Sequence, residues 1–79
     1  MKFQYTDHWF EKRKIRRQDI KDYLIEYCIL NSPRIKDRKW EGAYNAICRI
    51  PPSNVLLKVV YIIEGKGIKI ITAYWIYEK

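Results

Sequence analysis

The sequence predicts an α+β domain, with two N-terminal helices packed on one face of a small antiparallel sheet of three to four strands. Three observations predict it. Ile20, Tyr23, Leu24, Tyr27 and Cys28 recur at i, i+3, i+4, i+7 and i+8, the apolar stripe of a helix. After Asn31-Ser32-Pro33 the helical period is lost, and segments rich in β-branched and aromatic residues follow. The chain then closes with two such runs on either side of Gly65-Lys66-Gly67, the composition of a β-hairpin.

With 79 residues and no repeat, low-complexity tract or linker, residues 1–79 are expected to form a single domain. Apolar residues make up 48% of the chain and aromatic residues 15%, enough for a packed core and too many for a disordered tail. Thr6 or Asp7 can cap a first short helix that runs to about Arg13 or Lys14. Tyr5, His8 and Trp9 share one side of it, and Trp9 and Phe10 supply its apolar contacts. The second helix carries the stripe described above, with Lys21, Asp22 and Glu26 opposite and Ile25 as an apolar exception on the polar face. It must end before Pro33, which biases Ser32 away from helical angles.

From Arg34 to Trp40 the chain reads as a charged edge strand or an extended loop. Glu41-Gly42 makes a turn, Ala43 to Ile50 a strand, and Pro51-Pro52-Ser53-Asn54 the next reversal. The expected order is therefore α-α-β-β-β-β. A three-residue hairpin loop, with Gly67 free to take positive φ, would set Glu64 opposite Ile68 and Lys58 opposite Tyr74. That register puts Lys58, Thr72 and Tyr74 on one face and Val59, Tyr61, Ile71, Ala73 and Trp75 on the other. A two-residue loop would shift it by one and break the grouping. Lys58 is the sole charge in an otherwise apolar run, so its face is where a ligand is expected. Leu56, Val60, Ile62 and Ile70 are assigned to the same face, which suggests a partner or a second copy of the chain over it.

The charge pattern points to an anionic partner. Net charge is +7, and nine of the sixteen basic residues fall in two clusters. Lys12, Arg13, Lys14, Arg16 and Arg17 form the first; Arg34, Lys36, Arg38 and Lys39 form the second. Such clustering suits phosphate binding, with nucleic acid favoured over membrane because no long basic amphipathic helix is evident. For any single residue in a cluster, a solvated helix junction is the competing explanation. Two isolated cysteines, Cys28 and Cys48, and a single histidine cannot assemble a zinc site, and no cofactor is expected. Buried thiols, the absence of a signal-peptide core and the absence of a span of about 18 apolar residues predict a cytoplasmic protein.

Phe10-Glu11-Lys12-Arg13-Lys14-Ile15, followed by Asp19-Ile20, resembles the N-terminal helix pair of a family of small domains placed in the RelE/ParE-like toxin superfamily. Phe10 stands for the family's Met, Arg13 for its Arg, Lys14 for its Gly and Ile15 for its Ile. Residues 56–61 and 70–75 resemble its last two strands. The family's histidine falls at Tyr5, while the histidine here, His8, lies one helical turn later. The resemblance implies a toxin of a type II toxin–antitoxin pair that cleaves messenger RNA on translating ribosomes without a metal, held in check by an acidic antitoxin. Such cleavage needs a base for the ribose 2′-hydroxyl, cations for the phosphate and an acid for the leaving oxygen. His8, Lys58 and Tyr74 are the candidates for proton transfer, and Arg13, Arg16, Arg34 or Lys58 for the phosphate. Tyr74 or Trp75 could stack on a base. Arg17, Lys36 and Arg38 complete the expected nucleic-acid contacts. The competing functions are a non-catalytic RNA- or DNA-binding module and a protein-interaction domain.

Overall fold

A computed structural model describes residues 2–77, apart from the side chains of Ile15 and Arg16. In chain order the elements are β1 (Lys2–Tyr5), α1 (Asp7–Arg16), α2 (Asp22–Leu30), β2 (Ile35–Lys36), β3 (Tyr44–Ile50), β4 (Val55–Glu64) and β5 (Gly67–Ile76). The sheet has five strands in the order β1-β5-β4-β3-β2. It is mixed, because β1 pairs parallel to β5 while the other pairings are antiparallel. This corrects the expectation of a purely antiparallel sheet of three to four strands preceded by helices. Lys2-Phe3-Gln4-Tyr5 is a four-residue alternating segment, too short to stand out from a polar tail. It becomes a strand because β5 offers it an apolar edge.

Thr6 ends β1 and starts α1. Its hydroxyl accepts from the Trp9 backbone N–H at 3.2 Å, capping the helix as expected, and donates to the Ile71 carbonyl at 3.3 Å. Its own N–H reaches the Ile70 carbonyl, so the cap also fastens α1 to β5. Trp9 is thereby driven into the core with no exposure. The two helices are joined by an ion pair between Arg13 and Asp22 at 2.7 Å. Tyr5 of β1 donates to Glu26 of α2 at 2.6 Å. Burial, and then that hydrogen bond, push the Tyr5 phenol well above the ordinary tyrosine range.

The principal core lies between the helices and one sheet face. Trp9, Ile20, Ile25, Cys28 and Ile29 pack there on Ala46, Ile50, Leu57, Val59, Tyr61, Ile68, Ile70 and Ala73. The inward face of α2 therefore differs from the expected one. Ile25, Cys28 and Ile29 are buried, whereas Tyr23 and Tyr27 are exposed. Seven of the nine α2 residues are apolar, so more than one stripe fits the helix. The aliphatic set wins the interior, and the tyrosines keep their hydroxyls in water. Cys28 has no exposure, and its thiol is pushed up to about 12 by burial and by the Cys48 thiol beside it.

The hairpin departs from expectation twice, and the two departures offset each other. Its loop has two residues, Gly65 and Lys66, with Glu64 opposite Gly67. The left-handed position is Gly65, φ +58°, rather than Gly67. Gly67 serves the parallel edge instead: a Cβ there would stand 3.3 Å from the Lys2 carbonyl oxygen. Between Val60 and Tyr61 the register then shifts, leaving Ile71 as an extra residue on β5. Beyond this bulge Lys58 stands opposite Tyr74, as expected. Ile70 consequently lies in the main core, while Ile71 turns to the other face. There it forms a small buried cluster with Ala43 and Val60, flanked by Ile62.

Candidate nucleic-acid interface

The face away from the helices carries Asn45 on β3, Lys58 and Val60 on β4, and Thr72 and Tyr74 on β5, all lining one hollow. The wall of the hollow is Ile35 and Lys36 of β2 with the loop that follows it. The enclosed volume is about 460 Å³, within the range of ligand-holding clefts.

Asp37 shapes the wall. Its Oδ2 accepts from the backbone N–H groups of Lys39 at 3.0 Å and Trp40 at 2.7 Å. The Asp37 N–H donates to Ala43, and the Ala43 N–H to Trp40. A closed turn results, from which Arg38, Lys39 and Trp40 project at the rim. Burial alone would raise the Asp37 carboxyl. The two backbone donors, the Asn45 side chain and the positive charge of Lys58 outweigh it and hold the carboxyl below the ordinary aspartate range. Asp37 is thus a structural carboxylate inside a basic surface.

Tyr74 is the point on which cations converge. Arg17, at the end of α1, places its guanidinium carbon 5.5 Å from the ring centroid, and Lys58 Nζ lies 5.6 Å from it. Both are cation–π distances. Arg17 also donates to the Thr72 hydroxyl at 3.2 Å. One residue from the first basic cluster therefore touches Thr72 and Tyr74, which line the same hollow as Lys36, Arg38 and Lys39 of the second.

Other residues expected at the site lie elsewhere. Arg13 is held by Asp22 on the outside of the helices. Arg34 lies over the Tyr44 ring, 5.4 Å from its centroid, beside a separate hollow that includes Ile29 and Tyr61. Trp75 packs against the main core and donates its indole N–H to Asp19 at 2.9 Å, so it is on the opposite face from Tyr74. The Arg16 side chain lies outside the described residues. His8 is exposed and does not line the hollow, but its ring stands 6.5 Å from that of Trp40. Tyr5, the alternative to His8 in the family pattern, is engaged with Glu26 beneath α2.

Four residues of the hollow were not singled out from the sequence: Ile35, Asp37, Trp40 and Asn45. Asp37 followed by Lys39-Trp40 has the spacing of a side-chain-capped turn, a signal that was present. Trp40, 48% exposed beside three cations, is a stacking surface for a planar group. Asn45 gave no signal, because a polar residue in a strand is ordinarily placed in solvent. It is in fact buried, with Oδ1 lacking a hydrogen-bond partner. An unmet buried carbonyl costs about 1–3 kcal/mol.

Taken together, exposed cations and the half-exposed Trp40 ring surround one hollow whose base carries Tyr74 under Arg17 and Lys58. Among the described residues no three His, Cys, Asp or Glu side chains converge as metal ligands would, and no helix is long and apolar enough to cross a membrane. Comparison of the chain with protein-family models, with curated proteins and with solved structures finds no match.

Proposed function

We propose that this chain binds RNA in the basic hollow and cleaves it without a metal, as the toxin of a type II toxin–antitoxin pair acting on translating ribosomes. The observation that carries the reading is the approach of both Lys58 and Arg17 to the Tyr74 ring, in a hollow walled by Lys36, Arg38 and Lys39. Those cations suit a phosphodiester in two ways: they hold its ground-state charge, and they stabilise the extra charge that develops on the phosphorane. Lys58 and the Tyr74 hydroxyl are the proton-transfer candidates within the hollow, with His8 beside the rim at Trp40. The resemblance of residues 10–20 to the RelE/ParE-like toxin superfamily supports the same activity, and with it an acidic antitoxin as partner.

Induced expression without an antitoxin should arrest bacterial growth and shorten messenger RNA, and Lys58→Ala combined with Tyr74→Phe should relieve both. Unimpaired growth with intact RNA at high expression would sink the catalytic part of the proposal.

One observation favours a second reading, a module that holds RNA without cutting it. His8 is absent from the lining of the hollow, and Asp37 is committed to its turn and cannot serve as a base. Purified protein that retards labelled RNA in a gel, yet returns it uncut after long incubation alone and with ribosomes, would decide for this reading. Failure to retard RNA would remove both and favour a protein-interaction domain.

A further inference from the structure

The sheet face that carries the hollow continues past it. Side chains alternate along a strand, so the face of β4 that presents Val60 presents Lys58 and then Leu56. Leu56 stands opposite Arg49 of β3 and Ile76 of β5, as Lys58 stands opposite Ile47 and Tyr74. The row of Arg49, Leu56 and Ile76 is therefore one step, about 7 Å, from the row of Lys58 and Tyr74. These three residues line a second hollow of about 310 Å³, together with Asn54, Val55 and Tyr77.

Its parts are open to solvent and of two kinds. Leu56 and Ile76 are half-buried and supply apolar surface, and Tyr77, just past the end of β5, is 73% exposed. Arg49 is exposed, and its guanidinium donates to the Asn54 carbonyl at 3.0 Å, which ties the side chain to the turn between β3 and β4. Arg49 and Lys58 are diagonal neighbours across β3 and β4, a separation of about 7–8 Å. Among the described residues lining the two hollows, Asp37 is the one carboxylate, and it is committed to its turn. The face thus repeats a pair of features, a cation beside an aromatic ring: Lys58 with Tyr74, then Arg49 with Tyr77. A single-stranded RNA repeats a phosphate and a base at a comparable spacing. An acidic peptide would match the cations but brings no ring in step with the tyrosines.

Resting on the RNA-binding reading above, we infer that the hollow at the Arg49 end of the sheet is a second nucleotide subsite. The base adjacent to the one in the first hollow stacks on Tyr77 beside Leu56 and Ile76. Arg49 and Lys58 hold successive phosphates, so the strand runs along β4 from the Trp40 rim toward the turn at Asn54. Stacking on an aromatic ring is tolerant of base identity. The subsite therefore adds affinity and sets the path of the strand rather than its sequence.

Anisotropy of a labelled uridine hexamer tests this. Tyr77→Ala should weaken binding at least about fivefold, the loss of one stacked base, with the salt slope unchanged. Tyr77→Phe, which keeps the ring, should bind as the unaltered protein does. Arg49→Ala should lower the slope of log K against log salt by about 0.7, and Arg49→Lys should leave it in place. On the unaltered protein, a thiouridine hexamer should photo-crosslink to Tyr77 as well as to the first hollow, mapped by mass spectrometry of the peptides. Unchanged affinity in Tyr77→Ala, an unchanged slope in Arg49→Ala, or crosslinks confined to the first hollow overturns the second subsite and leaves RNA binding intact. Absence of hexamer binding by the unaltered protein at low salt overturns the RNA-binding reading and the inference together. If Arg49→Ala does not fold once its tie to Asn54 is lost, Tyr77→Ala and the crosslinks decide.

Discussion

Ile25→Ala should destabilise the domain far more than Tyr23→Ala, the reverse of what the tyrosine-containing stripe of α2 suggests. Ile25 has no exposure and packs in the main core, whereas Tyr23 is 69% exposed. Truncating Ile25 removes three buried carbons, worth about 2.4 kcal/mol at about 0.8 kcal/mol each. The residual cavity adds to this, so about 3 kcal/mol is expected, inside the range of about 2–5 kcal/mol for such changes. Tyr23→Ala should stay within about 0.5 kcal/mol, since the site is exposed and alanine is the better helix former. In urea, with a slope of about 1.5 kcal/mol/M for a chain this small, Ile25→Ala should lower the midpoint by about 2 M. Tyr23→Ala should leave it nearly in place. Equal losses for the two variants, or a larger loss for Tyr23→Ala, would refute the placement of α2.

Three further outcomes follow from the same geometry. The Asp37 carboxyl is held below its unfolded value, so its stabilisation is complete above the unfolded pKa and is lost as pH falls through the folded one. The stability gap between the protein and Asp37→Asn should therefore be widest near neutral pH and close on acidification, measured by urea melts at stepped pH. Gly65→Ala should cost about 1 kcal/mol, because Gly65 sits at φ +58°, and Gly65→Asn should cost less. Cys28, buried with its thiol pushed up to about 12, should react with a thiol reagent at pH 8 only in step with unfolding, shown by labelling across a denaturant series.

Much of the site was legible because its components are chemically loud. A lone lysine in an apolar strand, a tyrosine opposite it and a dense cationic segment before β3 each marked themselves, and the fold brings them together at one hollow. The Lys58–Tyr74 pairing emerged from a loop one residue too long because the bulge at Ile71 restores the missing residue. Bulges leave little trace in apolar runs, so Ile70 and Ile71 were assigned to each other's faces. The parallel strand β1 was illegible for a different reason. Its pairing with Gly67 depends on a neighbour 65 residues away, and four alternating residues carry little periodic signal. Arg34 and Trp75 share sequence runs with residues of the hollow, yet alternation along a strand and a turn at Pro33 send them to the helix side. Asn45 was invisible because nothing in its strand distinguishes a buried amide from an exposed one, and its burial beside the Asp37 turn is set by the tertiary fold.

The hollow as an RNA-binding surface is tested most directly by the salt dependence of single-stranded RNA binding in Lys58→Ala, Arg38→Ala and Arg34→Ala, followed by anisotropy between about 50 and 200 mM salt. Lys58→Ala and Arg38→Ala should each weaken binding and lower the slope of log K against log salt by about 0.7 to 1, one phosphate contact apiece. Arg34→Ala, on the other side of the sheet over Tyr44, should leave both unchanged. A loss in Arg34→Ala equal to that in Lys58→Ala, or RNA binding indifferent to all three, would contradict the account.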